Sequence, residues 1–369
     1  MQPKKLEFID SLRGFAALYV MLYHFSLITT PMAVAPRWLA PFTGLGGSGV
    51  TLFFVVSAFT LCLSMDARSS DETTPVRNYF LRRFFRIAPL FYLWIVLYCI
   101  RDKVVFDATH SVGEIARSVF FLLNFFPGHE QGFVWASWTL GVEMLFYLVF
   151  PVIFRYASSI GTAGAIFLAA LLLCSTWHAA VPHLVADPAV AQPFYNFSLL
   201  RHLPTFMFGV VIYRAYQLIN FNSAKKLGIG YLLVGAFGVS LLAIAYGIVQ
   251  VGPFESLTVE AALYGCLLLG LSITAPKLLV NKITRFYGKI SYSLYLSHAT
   301  TFFLMSKVFA AIYKHIPYVT IAYSASLAVG LAVVTGLSYL TYRYVETPGN
   351  NAGKAAIRSL QRVRSRIST

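Results

Sequence analysis

A chain of 369 residues that is 58% hydrophobic, only 12% charged and of mean hydropathy +0.69 has too few polar side chains to clothe a water-soluble surface, so it reads as an integral membrane protein. A formal net charge of +15 would suit a nucleic-acid partner if the basic residues gathered on a polar domain, but they sit at the ends of apolar segments, where they set topology and meet lipid. The four cysteines, Cys62, Cys99, Cys174 and Cys266, lie inside apolar stretches with no CxxC spacing, which leaves core packing rather than a disulfide framework.

Apolar windows predict an all-α integral membrane protein of about ten transmembrane helices, at 8–28, 47–65, 87–104, 139–157, 161–179, 198–217, 228–250, 257–275, 290–312 and 319–342. With the N-terminus inside, 21 of the 29 basic residues fall on the inner side, so the positive-inside rule puts both termini in the cytoplasm. The expected domains are a ten-helix membrane domain over 1–350 and a basic cytoplasmic tail over 351–369. The tail's Arg358, Arg362 and Arg366, four residues apart, suggest a helix lying on anionic lipid. Only Lys4 and Lys5 flank the first window and no small-residue cleavage site follows it, so it is expected to be a retained span.

That first span carries Asp10, Arg13 and His24, which are costly in hydrocarbon and therefore point to function. Arg13 and His24 are eleven residues apart, which puts them on nearly one stripe of a helix and about 16 Å apart along it. Such a stripe suits a charged, elongated ligand gripped at one point and reacting at another. The blander alternative is an Asp10–Arg13 pair at the interface with His24 satisfying a carbonyl. Gly46, Gly47, Ser48 and Gly49 offer small residues for close helix approach.

The stretch Asn78–Pro89 places Arg82, Arg83 and Arg86 at a cytoplasmic helix entrance, a multidentate receptor for phosphates or, more simply, for lipid headgroups. The outer segment 105–138 contains Val119–Phe126, too short to span and expected to be an interfacial or re-entrant helix. The span that follows opens Trp135-Ala136-Ser137-Trp138 and places Glu143 at the depth expected of His24, where a carboxylate would fix the imidazole tautomer. The alternative partner for Glu143 is an arginine or a tryptophan N–H in the bundle. His178 and His183 read as solvated loop, and no metal site is expected. Lys289, Arg343 and Glu346 fall at the inner face, where they complete a nucleotide pocket or anchor helix ends, and His298 is expected to bond to a neighbouring helix.

The ordered stretches Asp10-Ser11-Leu12-Arg13-Gly14, Phe53-Phe54-Val55-Val56-Ser57, Arg82-Arg83-Phe84-Phe85-Arg86, Trp138-Thr139-Leu140-Gly141-Val142-Glu143 and Gly288-Lys289-Ile290-Ser291-Tyr292, with Tyr342-Arg343-Tyr344-Val345-Glu346, resemble the membrane-bound acyltransferase family 3. Ser11, Ala58 and Met144 depart from the commoner residues of those motifs. The resemblance implies O-acylation of cell-surface glycans and related acceptors in a bacterial inner membrane, with acyl-coenzyme A, first of all acetyl-CoA, as donor. His24 matches its catalytic histidine, and Arg13 with Arg82, Arg83 and Arg86 match its needed arginines. The expected assignment is His24, Glu143 and Asp10 in catalysis, with Arg13, Arg82, Arg83, Arg86, Lys289 and Glu346 holding the donor. Expected partners are the acyl-CoA, a hydroxyl-bearing glycan or glycolipid, membrane lipids and a separate partner protein or second copy, but no nucleic acid. A transporter or flippase of a glycolipid or anion is the alternative, which the lack of inverted repeats disfavours.

Overall fold

The structure, a computed structural model, describes residues 6–29, 33–68, 72–219, 225–252 and 256–367. Lys4 and Lys5 lie outside the described residues, as do the side chains of Arg364 and Arg366. The helices in chain order are α1 (Glu7–Ile28), α2 (Ala40–Gly44), α3 (Gly49–Asp66), α4 (Pro75–Phe106), α5 (Val112–Val119), α6 (Trp138–Tyr156), α7 (Ile160–Leu184) and α8 (Pro188–Asn196). They continue as α9 (Leu199–Leu218), α10 (Lys225–Ala245), α11 (Ser256–Thr274), α12 (Lys282–Lys289), α13 (Ser291–Leu304), α14 (Ser306–His315), α15 (Val319–Thr341) and α16 (Thr347–Ile367). Among the described residues there is no strand.

Eight stretches are long and apolar enough to cross a membrane: α1, α2 through α3, α4, α6, α7, α10, α11 and α15 into α16. The expected window 198–217 appears as α9, which carries Arg201, His202, Pro204 and Arg214 and whose inner face is buried. The window 290–312 is divided at Met305 into α13 and α14. Twelve of the fourteen residues of α13 are buried, so it is a central helix whose serines, threonines and histidine face protein. By contrast α10 keeps only 6% of its apolar window inside, leaving leucines and valines facing outward as a lipid-contacting helix does.

Two aromatic nodes hold the bundle. Phe206 of α9 stacks between Phe54 of α3 and Phe146 of α6, with centroids 4.4 and 4.0 Å away. Phe25 of α1 meets Phe302, Phe309 and Tyr323 edge-on at 5.1, 5.2 and 5.3 Å, which ties α1 to α13, α14 and α15. The closest backbone approach joins α1 to α12: a Cβ added at Gly288 would sit 1.7 Å from the Asp10 carbonyl oxygen. Only glycine fits there, which gives the Gly288-Lys289-Ile290-Ser291 stretch its packing role. Asn281 and Thr284 form the capping box that starts α12, and the Thr284 hydroxyl also meets Ser11 of α1 at 2.9 Å.

The run Val119–Phe126 is not a helix. Phe121 takes a left-handed conformation (φ 57°) that ends α5, and a 3-10 turn follows over Leu123–Phe125. At the other end of the chain α15 passes through a π turn over Tyr342–Glu346 directly into α16. The helix thus runs through position 350 without a break. Gly349 and Gly353 lay it against Pro89 and Phe85 of α4.

Candidate active site

The bundle encloses a cavity of about 1210 Å3 whose wall is built from α1, α3, α4, α6, α13 and α16. Asp10 and Arg13 enter it from α1, Arg82, Arg83 and Arg86 from the first turns of α4, and Glu143 from α6. Six of the nine residues expected from sequence therefore share one space. Charged groups in apolar helices are tolerable only around such a common polar cavity, which is why the fold collects them.

The arginine end is organised unevenly. Arg82 pairs with Glu72 at 2.7 Å. Arg83 instead lays its guanidinium over the rings of Tyr79 and Tyr147, 5.9 and 5.6 Å from their centroids, and its buried Nε has no hydrogen-bond partner among the described residues. A buried donor left open beside a cavity is a vacancy for an acceptor atom of a ligand. Arg68, Asn350, Asn351 and Lys354 complete this end, and none of the four was marked as a site residue by the sequence. Lys354 and the two asparagines belong to α16, so the expected tail contributes to the cavity.

Three expected residues, His24, Lys289 and Glu346, stand outside the wall. Lys289 is exposed at the last position of α12. Glu346 is buried in the π turn, where its carboxylate accepts the Ser293 hydroxyl at 3.0 Å and acts Coulombically on Arg13 and Arg86. It supports the arginines from behind.

Glu143 does not orient His24. Its Oε1 accepts the Ser57 hydroxyl at 2.6 Å and the Tyr147 hydroxyl one turn along α6, and its charge reaches Arg13. Counting residues along each span matched Glu143 with His24, but α1 presents His24 to α13. There His24 Nδ1 lies 3.0 Å from Nε2 of His298, with ring centroids 4.9 Å apart.

The hydrogen-bond partners fix the tautomers. His298 Nδ1 is 3.2 Å from the Leu294 carbonyl, which can only accept, so Nδ1 carries the proton and neutral His298 offers Nε2 as an acceptor. His24 Nδ1 then donates to it, and the free lone pair of His24 is on Nε2. A half-buried imidazole with an open Nε2, backed by a fully buried second imidazole, has the arrangement that general-base chemistry requires. The pair lies one turn along α13 from Tyr295, which lines the cavity and whose ring is 5.8 Å from that of His298. Tyr295 in turn donates to the carbonyl of Ala136 at 3.3 Å and accepts the Thr139 hydroxyl at 2.9 Å, so the start of α6 braces this side of the cavity wall.

Read from sequence, His298 has a neighbouring-helix hydrogen bond without His24 being named, and Ser57 stands only within a motif. One signal was available for His298: a histidine in the middle of an apolar segment needs a partner of matching polarity, and His24 is another such histidine.

Comparison with known proteins adds a family. The family model described as an acyltransferase domain matches residues 6–343. A protein of Acidianus two-tailed virus, provisionally named an acetyltransferase, is 27% identical over 79% of this chain and 81% of its own length. An acyltransferase of Streptomyces mycarofaciens is 27% identical over 69% of this chain and 66% of its own. A Staphylococcus aureus protein provisionally named an O-acetyltransferase is 22% identical over 96% of this chain, which spans only 59% of that longer relative. No solved structure gives a significant match.

Proposed function

The chain belongs to the acyltransferase family 3 of membrane-embedded acyltransferase domains, and on that premise we propose that it moves an acyl group, acetyl first of all, from acyl-CoA to a hydroxyl of a cell-surface glycan or glycolipid. One observation carries the reading: a single cavity has an arginine cluster at one end and ends within a helical turn of the His24–His298 pair at the other. At about 1210 Å3 it exceeds the roughly 300–1,000 Å3 of ordinary small-molecule pockets, as an elongated donor requires.

The residues present fit such a donor. Arg13, Arg82, Arg83 and Arg86, with Arg68 and Lys354, hold the phosphates, and the open Nε of Arg83 takes a phosphate oxygen. The pantetheine arm follows the cavity past Ser57, Tyr147 and Tyr292 toward Tyr295. His24 Nε2 removes the proton of the acceptor hydroxyl as its oxygen adds to the thioester carbonyl. The carbon–sulfur bond breaks, and the proton passes from His24 to the departing thiolate. Transient acylation of His24 Nε2, followed by transfer to the hydroxyl, would use the same geometry. In this reading the arginine end faces the cytoplasm of a bacterial inner membrane.

The test is acetyl-CoA binding and turnover by purified wild type, Arg83→Ala and His24→Ala. Arg83→Ala is expected to lose binding by more than tenfold. His24→Ala is expected to bind normally and to turn over about 100- to 10,000-fold more slowly. Folded wild type that neither binds nor consumes acetyl-CoA would overturn the reading and favour a transporter, which leaves no acylated product.

A further inference from the structure

A second pocket lies at the opposite end of α4 from the arginines. It has a volume of about 180 Å3 and is formed by α5 and the loop that follows, with Glu114, Arg117, Ser118, His129, Glu130 and Gln131 supplying its polar wall. That is about six times the share of liquid volume held by one water molecule, room for one ring and not for a chain.

Its distinctive member is Glu130. The side chain is buried (3% exposed), it lines the pocket, and its Oε2 has no hydrogen-bond partner among the described residues. The loop holds it there by a tight turn: Gly132 takes φ +70°, its N–H bonds the His129 carbonyl at 3.0 Å, and a Cβ at Gly132 would strike the Ser137 hydroxyl at 2.5 Å. Glu114 is committed elsewhere, since its Oε2 accepts the Ser111 backbone N–H at 2.8 Å, a bond that holds its carboxyl below the usual range. A buried carboxylate oxygen with nothing to accept from is costly unless a ligand supplies the donor.

The lining selects the ligand. Two carboxylates disfavour an anion, and Arg117 on the same wall disfavours a simple cation. Donors and acceptors mixed around one ring-sized space suit a molecule whose groups both donate and accept, which is what hydroxyls do.

A chain of contacts also leads from the pocket to α13, the helix that carries His298. Phe133 on its wall stacks on His110 at 4.0 Å, and His110 Nε2 meets Asp102 Oδ2 at 2.8 Å. Asp102 accepts from Arg101 Nε at 2.6 Å, and Arg101 donates to the Thr300 hydroxyl at 3.0 Å. Thr300 is two residues beyond His298 on α13. We propose that this pocket is a docking subsite for one neutral, polyhydroxylated ring of the acceptor, whose hydroxyl donates to the Glu130 carboxylate while another part of the same acceptor reaches His24. The subsite rests on the glycan-acceptor reading given above.

The experiment uses the full chain in lipid nanodiscs and follows tryptophan fluorescence on titration with maltose, N,N′-diacetylchitobiose and, as a cation control, tetramethylammonium. Saturable binding of at least one disaccharide is expected, weakened about tenfold by Glu130→Gln and a few-fold by the exposed, structurally undemanding His129→Ala. Unchanged far-UV circular dichroism and size-exclusion elution of both variants show that they fold. Binding of neither disaccharide, disaccharide binding indifferent to Glu130, or Glu130-dependent binding of tetramethylammonium alone overturns the proposal. Loss of acetyl-CoA binding in Arg83→Ala is measured separately, so failure of the donor reading and failure of this subsite are distinguishable.

Discussion

Replacing His298 tests the geometry of the histidine pair most directly. The ring is fully buried, and its Nε2 is the acceptor that holds His24 Nδ1–H at 3.0 Å. In His298→Ala that acceptor is lost and the His24 ring keeps only its bond to the Val20 backbone, so its orientation and tautomer are less firmly set. Partners that fix a functional histidine are typically worth about 10- to 100-fold, which here means about 1.4 to 2.7 kcal/mol on the barrier. Because the arginine cluster lies at the far end of the cavity, the loss should fall on kcat and leave the KM for acetyl-CoA within about twofold. In His298→Gln the side-chain oxygen stands near the position of Nε2 and can accept the same N–H, so most of the activity should return. Steady-state acetyl-CoA hydrolysis by the three proteins, with acetyl-CoA binding as the fold control, decides the matter. Wild-type kcat in His298→Ala, or a loss confined to KM, would refute the relay. Equal losses in the alanine and glutamine variants would show that the ring acts by packing alone.

Three further outcomes follow from the packing. Arg83→Lys keeps the charge but loses the planar stack on Tyr79 and Tyr147, so acetyl-CoA affinity should drop about tenfold in a binding titration, part of the way to Arg83→Ala. Glu143→Gln should lower thermal stability by about 1–3 kcal/mol through its bonds to Ser57 and Tyr147 while kcat stays within about threefold. A 100-fold fall in kcat with unchanged stability would restore Glu143 as the partner of His24. Gly288→Ala drives a methyl against the Asp10 carbonyl and should cost about 3 kcal/mol or more, read as a fall in Tm or in folded yield.

How far the fold was legible depends on what each helix faces. Segments that meet lipid on much of their surface, such as α7 and α10, announce themselves by hydropathy because nothing else can satisfy their surroundings. Interior helices escape that constraint. In α13 the run Ser291-Tyr292-Ser293-Leu294-Tyr295-Leu296-Ser297-His298 is buried by protein on every side, so its composition reports hydrogen-bond partners and not a bilayer. The break at Met305 is a tertiary outcome of α14 turning its Phe309 onto Phe25. Likewise the π turn that carries α15 into α16 has no marker in the sequence, so the reach of Lys354 into the cavity was hidden.

The site shows the same division between what a one-dimensional pattern contains and what it lacks. Arginines and carboxylates inside apolar windows must find water, a ligand or one another, so their convergence on one cavity could be foreseen without knowing which helices touch. Which groups then pair is a different question, because depth along the bundle axis is readable from residue number but rotation about each helix is not. Residue counting matched Glu143 with His24, yet Glu143 bonds Ser57 and Tyr147 while His24 bonds His298. The pairings that sequence could have supplied are those within one helix, such as Glu143 with Tyr147 at i, i+4, whereas the pairing of the two imidazoles, His24 with His298, joins residues 274 apart. Rotation of α1 is set by residues with no chemistry of their own: Gly14 and Gly288, which press α1 onto α12, and Phe25, which is locked among three aromatic rings. A mutation at one of those packing positions should therefore misalign His24 as loss of His298 does, but only the loss at position 298 should be recovered by a glutamine that accepts the same N–H.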